Sequence, residues 1–88
     1  MASSAARNDV RVVIVDDHVL VAEALVLALG AEGYDVRRVV VPEEPGEVGA
    51  LVAAITRLRP DVVLLNLDLG PFGDGAPLVA PLTEADAN

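Results

Sequence analysis

Three side chains suited to joint work on a cation or a phosphoryl group stand out in this sequence: Asp16, Asp17 and Asn66. The two carboxylates follow directly on the apolar run Val12-Val13-Ile14-Val15, and the carboxamide follows Val62-Val63-Leu64-Leu65. In parallel α/β sheets, ligands and chemistry gather outside the carboxyl ends of the strands. Two such strands lying side by side would aim all three side chains into one crevice. Paired carboxylates offer the hard oxygen ligands that Mg²⁺ prefers. Asn66 is the exception in this set, because an amide brings no charge and is a far poorer nucleophile than a carboxylate. Asp68 is a nearby acid, but two residues along a strand move a side chain by about 7 Å. His18 directly follows the acidic pair and is expected at a helix start on the rim of the crevice.

The elements that must hold these groups follow from periodicity. Residues 10–15 form a near-continuous β-branched run, suited to a strand buried on both faces of a parallel sheet. From 18 to about 32, Leu20, Val21, Ala24, Leu25 and Ala28 recur at helical spacing. Asp17 is placed to cap this helix and to meet the positive end of its dipole. Gly33 is placed to end it. A second strand is expected at 34–41, with Arg37 and Arg38 on a solvated face near an edge. The segment 42–46, with two prolines and a glycine, is a loop.

A second helix is expected at 47–59. Its stripe is Val48, Leu51, Val52, Ile55 and Leu58, and Pro60 stops it. The third strand spans 61–67. A tight glycine-rich loop follows at 70–75, packed by Phe72. Asp74 is placed to cap a last helix from 76 to about 85, with Pro77 tolerated in its first turn. The order β-α-β-α-β-α implies an α/β fold with a parallel sheet and right-handed crossovers.

Composition narrows the function classes. With 88 residues the chain holds one domain at most, and 53% hydrophobic residues exclude wholesale disorder. No apolar run approaches the ~20 residues of a membrane helix. The segment 1–9 lacks the apolar core of a secretory signal and is expected to be a flexible arm. Cysteine is absent, which excludes disulfides, thiolate zinc sites and cysteine nucleophiles and fits a cytoplasmic location. The net charge of −8 carries no basic face for direct nucleic-acid binding, and favours metal ions or basic protein surfaces as partners.

Val15-Asp16-Asp17-His18-Val19-Leu20-Val21, Arg59-Pro60-Asp61-Val62-Val63-Leu64-Leu65-Asn66-Leu67-Asp68-Leu69 and the 70–75 loop with Asp74-Gly75 come in that order and spacing. Together they resemble a response-regulator receiver domain, closest to the LuxR/NarL-type transcription regulators, over 10–88. The resemblance implies a flavodoxin-like, doubly wound parallel sheet, here with three of the family's five strands in the order 2-1-3. It implies a weak Mg²⁺ site at Asp16, Asp17 and the backbone carbonyl of Asp68, with Asn66 at the phospho-acceptor position. An amide there is not expected to accept a phosphoryl group. The family's phosphate-gripping lysine has no counterpart, since all 6 basic residues are arginine.

The resemblance further implies a module of a two-component phosphorelay linked to transcription, with no substrate turnover of its own. Its partners would be a sensor histidine kinase, another receiver or another protein. With only three strands, Val62 to Leu67 would form an apolar sheet edge open to self-association. A truncated gene product, a chain completed by a partner or a second copy, and a stable minimal domain all remain open, as does a gene remnant without function. A haloacid-dehalogenase-like phosphatase fragment also shares an Asp-x-Asp after a strand with Asn66-Leu67-Asp68. Its nucleophile would again be Asn66, and its motif belongs on the first strand. A dinucleotide-binding half-domain fails for want of Gly-x-Gly-x-x-Gly after the first strand.

Overall fold

The computed structural model of the chain describes residues 9–44 and 46–86. The expected arm, apart from Asp9, and Pro45 of the 42–46 loop lie outside the described residues. Three strands, β1 (Arg11–Val15), β2 (Asp35–Val39) and β3 (Val62–Leu65), alternate with helices α1 (Val19–Ala31), α2 (Val48–Arg57) and α3 (Val79–Asp86). Short 3₁₀ turns at Gly70–Phe72 and Ala76–Leu78 lead into α3. The sheet is parallel throughout with order β2-β1-β3, as the alternation of apolar runs and helical stripes implies.

β1 sits in the middle because it can be buried on both sides: Val12, Val13, Ile14 and Val15 are all buried. On one face Val13 and Val15 join Val39, Leu51, Ile55, Leu69, Phe72 and Leu78 under α2 and α3. Val48, Val52 and Leu58 complete the expected stripe of α2 against this core. Ile55 and Leu78 are fully enclosed, and truncating either to alanine would remove roughly 2–5 kcal/mol. On the other face Val12 and Ile14 pack with Ala22, Leu25, Val26, Leu29 and Val36 under α1. Helices therefore cover both faces of the sheet.

Several boundaries differ from expectation. β2 ends at Val39, and β3 ends at Leu65, one residue before Asn66. The last helix opens as a 3₁₀ turn that accommodates Pro77, whose missing N–H is not needed there; Asp74 is not its cap, since that position is Gly75, although Asp74 Oδ1 accepts from Ala76 N at 2.9 Å. Gly33, at φ 95°, closes α1 as anticipated. Arg37 is exposed, but Arg38 is half-buried on the α1 face with its Nε enclosed and unbonded, so the two do not share one solvated face. α1 turns Ala22, Leu25, Val26 and Leu29 inward rather than centring on Leu20, Ala24 and Ala28. Nearly every residue of α1 is apolar, so its sequence does not set which side faces the sheet.

The amino ends of the strands are tied by charge. Arg11 Nε donates to Asp35 Oδ2 at 2.9 Å, Arg37 Nε donates to Asp35 Oδ1 at 2.9 Å, and the Arg11 guanidinium also donates to the Leu58 carbonyl. The bonds from Arg37 and then Arg11 hold the Asp35 carboxyl below its ordinary value of 3.8. A carboxylate whose folded pKa is depressed stabilises the fold above its ordinary value, and this contribution is lost as pH falls through the folded value. Asp35→Asn is therefore expected to lower the unfolding midpoint at neutral pH. The gap from the unaltered protein should close as pH drops below about 4, measured by thermal unfolding across a pH series. A gap of constant size down to the acid limit would show that Asp35 is not held as an ion.

Candidate functional site

Parallel pairing brings the carboxyl ends of β1 and β3 level, with Val15 beside Leu65. One more ladder bond, Asn66 N to the Val15 carbonyl at 3.0 Å, carries the pairing past both strand ends. Asp16 and Asn66 are thus the first residues beyond adjacent strands. Their side chains meet: Asn66 Nδ2 donates to Asp16 Oδ1 at 3.2 Å. The other end of the amide, Asn66 Oδ1, accepts from Asp68 N at 3.1 Å. Both ends of the carboxamide are therefore in use, one on the acidic pair and one on its own loop.

Asp16 is buried and its Oδ1 is heavily bonded. It accepts from the His18 backbone N–H at 2.9 Å and lies 2.9 Å from His18 Nδ1. Burial pushes the Asp16 carboxyl up, but the His18 N–H, the Asn66 amide and the His18 ring together outweigh it, and the net shift is downward. The same contact, followed by the charges of Asp17 and Asp16, raises the pKa of the exposed His18 imidazole. The crevice thus favours an ionised Asp16 beside a more readily protonated His18.

Asp17 does not cap α1. The cap position belongs to His18, whose side chain makes no capping bond. Asp17 Oδ1 is instead enclosed without a hydrogen-bond donor, 3.3 Å from His18 Nδ1. Its Oδ2 lies against the 70–75 loop and would collide with any Cβ at Gly70. Gly70 also has a φ of 61°, so this position requires glycine for both conformation and room. A second close approach, at Gly75, bonds N to the Leu67 carbonyl at 2.7 Å and leaves no space for a Cβ beside the Asn66 carbonyl. These two glycines let the loop lie tightly against the strand ends and the acidic pair.

One ligand atom each from Asp16, Asp17 and His18 lies within 4.8 Å of the others. This group could hold a metal ion, and the donor-free Asp17 Oδ1 is an oxygen that a cation would satisfy. Asp68 does not contribute a carboxylate to it: Asp68 Oδ1 accepts from Gly70 N at 3.0 Å, and Asp68 pairs with Asp74 across the loop. Sequence reasoning left His18 at the rim, whereas the structure adds its ring nitrogen to the cluster. The signal was its place two residues after Asp16, which lets the ring fold back on that carboxylate. An imidazole beside two carboxylates suits first-row divalent ions better than Mg²⁺, which prefers oxygen alone.

A groove of about 440 Å³ lies at the opposite end of the sheet between α2, β3 and α3, lined by Thr56, Arg59, Pro60, Asp61, Leu82 and Thr83. Its lining brings together no cluster of titratable side chains comparable to that at the strand ends. Among the described residues, no helix is long and apolar enough to cross a membrane. No family model, curated protein or solved structure matches this chain.

A carboxylate in place of Asn66 would set a second negative charge where the amide now donates to Asp16. At the present 3.2 Å, two unit charges would repel by on the order of 5 kcal/mol at an effective dielectric near 20, before relaxation or proton uptake. Asn66→Asp is expected to lower metal-free stability by about 1–3 kcal/mol and to tighten Mg²⁺ binding by at least about tenfold. Denaturant unfolding in chelator and calorimetric Mg²⁺ titration check both halves. Equal Mg²⁺ affinity in the two proteins would contradict the placement of position 66 at the cation crevice.

Proposed function

We propose that this chain is a receiver-type module of a two-component phosphorelay, of the LuxR/NarL-type group and linked to transcription regulation, in which the phospho-acceptor position is silent. The observation that carries this proposal is the contact between Asn66 and Asp16 at the ends of adjacent parallel strands. The amide stands beside the acidic pair, which supports the acceptor position that the resemblance assigns to residue 66. The strand order β2-β1-β3 and the closely applied 70–75 loop are compatible with the same assignment.

The chemistry follows from the groups present. In an active member of such a family, the acceptor carboxylate oxygen attacks phosphorus, the bond from phosphorus to the donor breaks (to the imidazole nitrogen of a phosphorylated kinase histidine, or to the acetate oxygen of acetyl phosphate), and a cation would offset the charge. Asn66 lacks the anionic oxygen for that attack. Its Nδ2–H instead satisfies Asp16, partly filling the role of a cation in the resting crevice. Any Mg²⁺ would be held weakly by Asp17 and the second carboxylate oxygen of Asp16, with the Asp68 carbonyl as the third ligand that the resemblance assigns. The module would act by protein contact rather than turnover, in the cytoplasm, with a histidine kinase, another receiver or another protein as partner and without touching DNA itself.

Incubation with acetyl phosphate and Mg²⁺ followed by intact mass and peptide mapping tests this proposal. The unaltered chain should remain unphosphorylated, whereas Asn66→Asp should gain one phosphoryl group at position 66, released by hydroxylamine. A phosphoryl group on Asn66 itself would overturn the silent-acceptor assignment. An unmodified Asn66→Asp protein that binds Mg²⁺ would remove position 66 as an acceptor site.

A further inference from the structure

The groove between α2, β3 and α3 lies at the far end of the sheet from the acidic crevice and has no part in the phosphorelay assignment. Its volume of about 440 Å³ is within the range of small-molecule sites. Pro60, Val63 and Leu82 give it an apolar lining, and Thr56, Arg59, Asp61 and Thr83 add polar groups.

Most of those polar groups are already committed. Thr56 Oγ1 donates to the Ala53 carbonyl at 3.2 Å, and Thr83 Oγ1 donates to the Val79 carbonyl at 2.8 Å. Asp61 Oδ2 accepts from Arg11 N at 2.7 Å. Arg59 differs. Its side chain enters no ion pair among the described residues, whereas Arg11 and Arg37 both pair with Asp35. Arg57, in the last turn of α2, is likewise without an ion pair among the described residues and adds positive charge at this end.

The backbone singles out the same residue. Arg59, at φ 53°, is the only non-glycine in the left-handed region among the described residues. It follows the Leu58 cap of α2, a position that glycine fills most readily. Pro60 narrows its choice of conformation further. An arginine is thus held on the groove in a conformation that its own side chain disfavours.

We propose that this groove binds a small monocarboxylate with an apolar body. The carboxylate pairs with the Arg59 guanidinium, and the body lies against Pro60, Val63 and Leu82. Charge complementarity selects this occupant. A guanidinium meets a carboxylate with two parallel N–H···O bonds. The two threonines have no hydroxyl proton left to offer, and Asp61 repels a second negative charge, so dianions and phosphate esters are disfavoured. Arg59 and Arg57 repel cations, and the apolar lining gives a purely polar anion nothing to bury. One ion pair and a short apolar contact correspond to a dissociation constant on the order of a millimolar. The proposal is independent of the phosphorelay assignment.

Titration of the nitrogen-labelled full chain with phenylacetate, followed through its amide shifts, tests the proposal. Saturable changes are expected at 56–63 and 82–85, with 16–18 and Asn66 unmoved. Phenylacetamide has the same body without the charge and should bind weaker by about tenfold or more. Arg59→Gly separates ligand binding from backbone structure, because glycine suits this φ. The variant should unfold at an equal or higher denaturant concentration, yet bind phenylacetate weaker by about tenfold or more. Should Arg59→Gly unfold early, Arg59→Gln takes its place, since it keeps a long side chain and removes the charge. No saturable change with phenylacetate, or changes centred elsewhere, would overturn the proposal. So would equal binding of phenylacetamide, or undiminished binding by a folded Arg59 variant.

Discussion

The bond from the Asn66 carboxamide to the Asp16 carboxylate is the constraint on which the candidate site depends. Asp16 lies buried at the end of the central strand, next to a second acid. A buried carboxylate without partners is costly, and two neighbouring ones resist joint ionisation. The fold answers this with donors: the His18 N–H and ring on one side and the Asn66 amide on the other. A carboxylate at position 66 would need a cation to sit there comfortably, whereas an amide does not. The resting crevice is therefore held together without a metal ion.

The rest of the site is arranged around that contact. Ladder pairing between β1 and β3 fixes how far along each strand the two side chains emerge. The returning loop engages Asn66 Oδ1 through Asp68 N, and comes close enough at Gly70 to shape the surroundings of Asp17. Phe72 anchors the same loop in the core formed by α2, α3 and the sheet. Hydrophobic packing and crevice chemistry are joined through one short segment. Changes that loosen the seat of Phe72 should therefore be felt at the acidic pair.

Much of this was legible in the chain. The apolar runs before Asp16 and Asn66 gave the inner strand and its neighbour, because neither run carries polar alternation; β1 is buried on both faces, while β3 keeps Val62 and Leu64 exposed on one. The 48–58 stripe gave the inward face of α2 because the large apolar side chains are confined to it, the other positions being glycine, alanine, Thr56 and Arg57. α1 shows the opposite case: with a single charged residue among thirteen, several phases fit equally well, and only packing against β1 and β2 chose Ala22 and Val26. Asp17 was misplaced as a cap because capping propensity is local. In the fold its carboxylate lies between His18 and the 70–75 loop, a juxtaposition no local rule contains. The part played by the His18 ring was hidden for a related reason, since its partner depends on how the chain turns between β1 and α1.

A pairwise exchange of the two groups isolates the central interaction. Denaturant unfolding in chelator would be compared for Asp16→Asn, Asn66→Asp, the double exchange and the unaltered chain. If an amide donating to a carboxylate holds the crevice, Asn66→Asp alone should be the least stable. The double exchange, which restores one amide and one carboxylate, should then recover at least about 1 kcal/mol relative to additivity. Strict additivity of the two single changes would show that Asp16 and Asn66 do not interact, and the account of the crevice would fall with it.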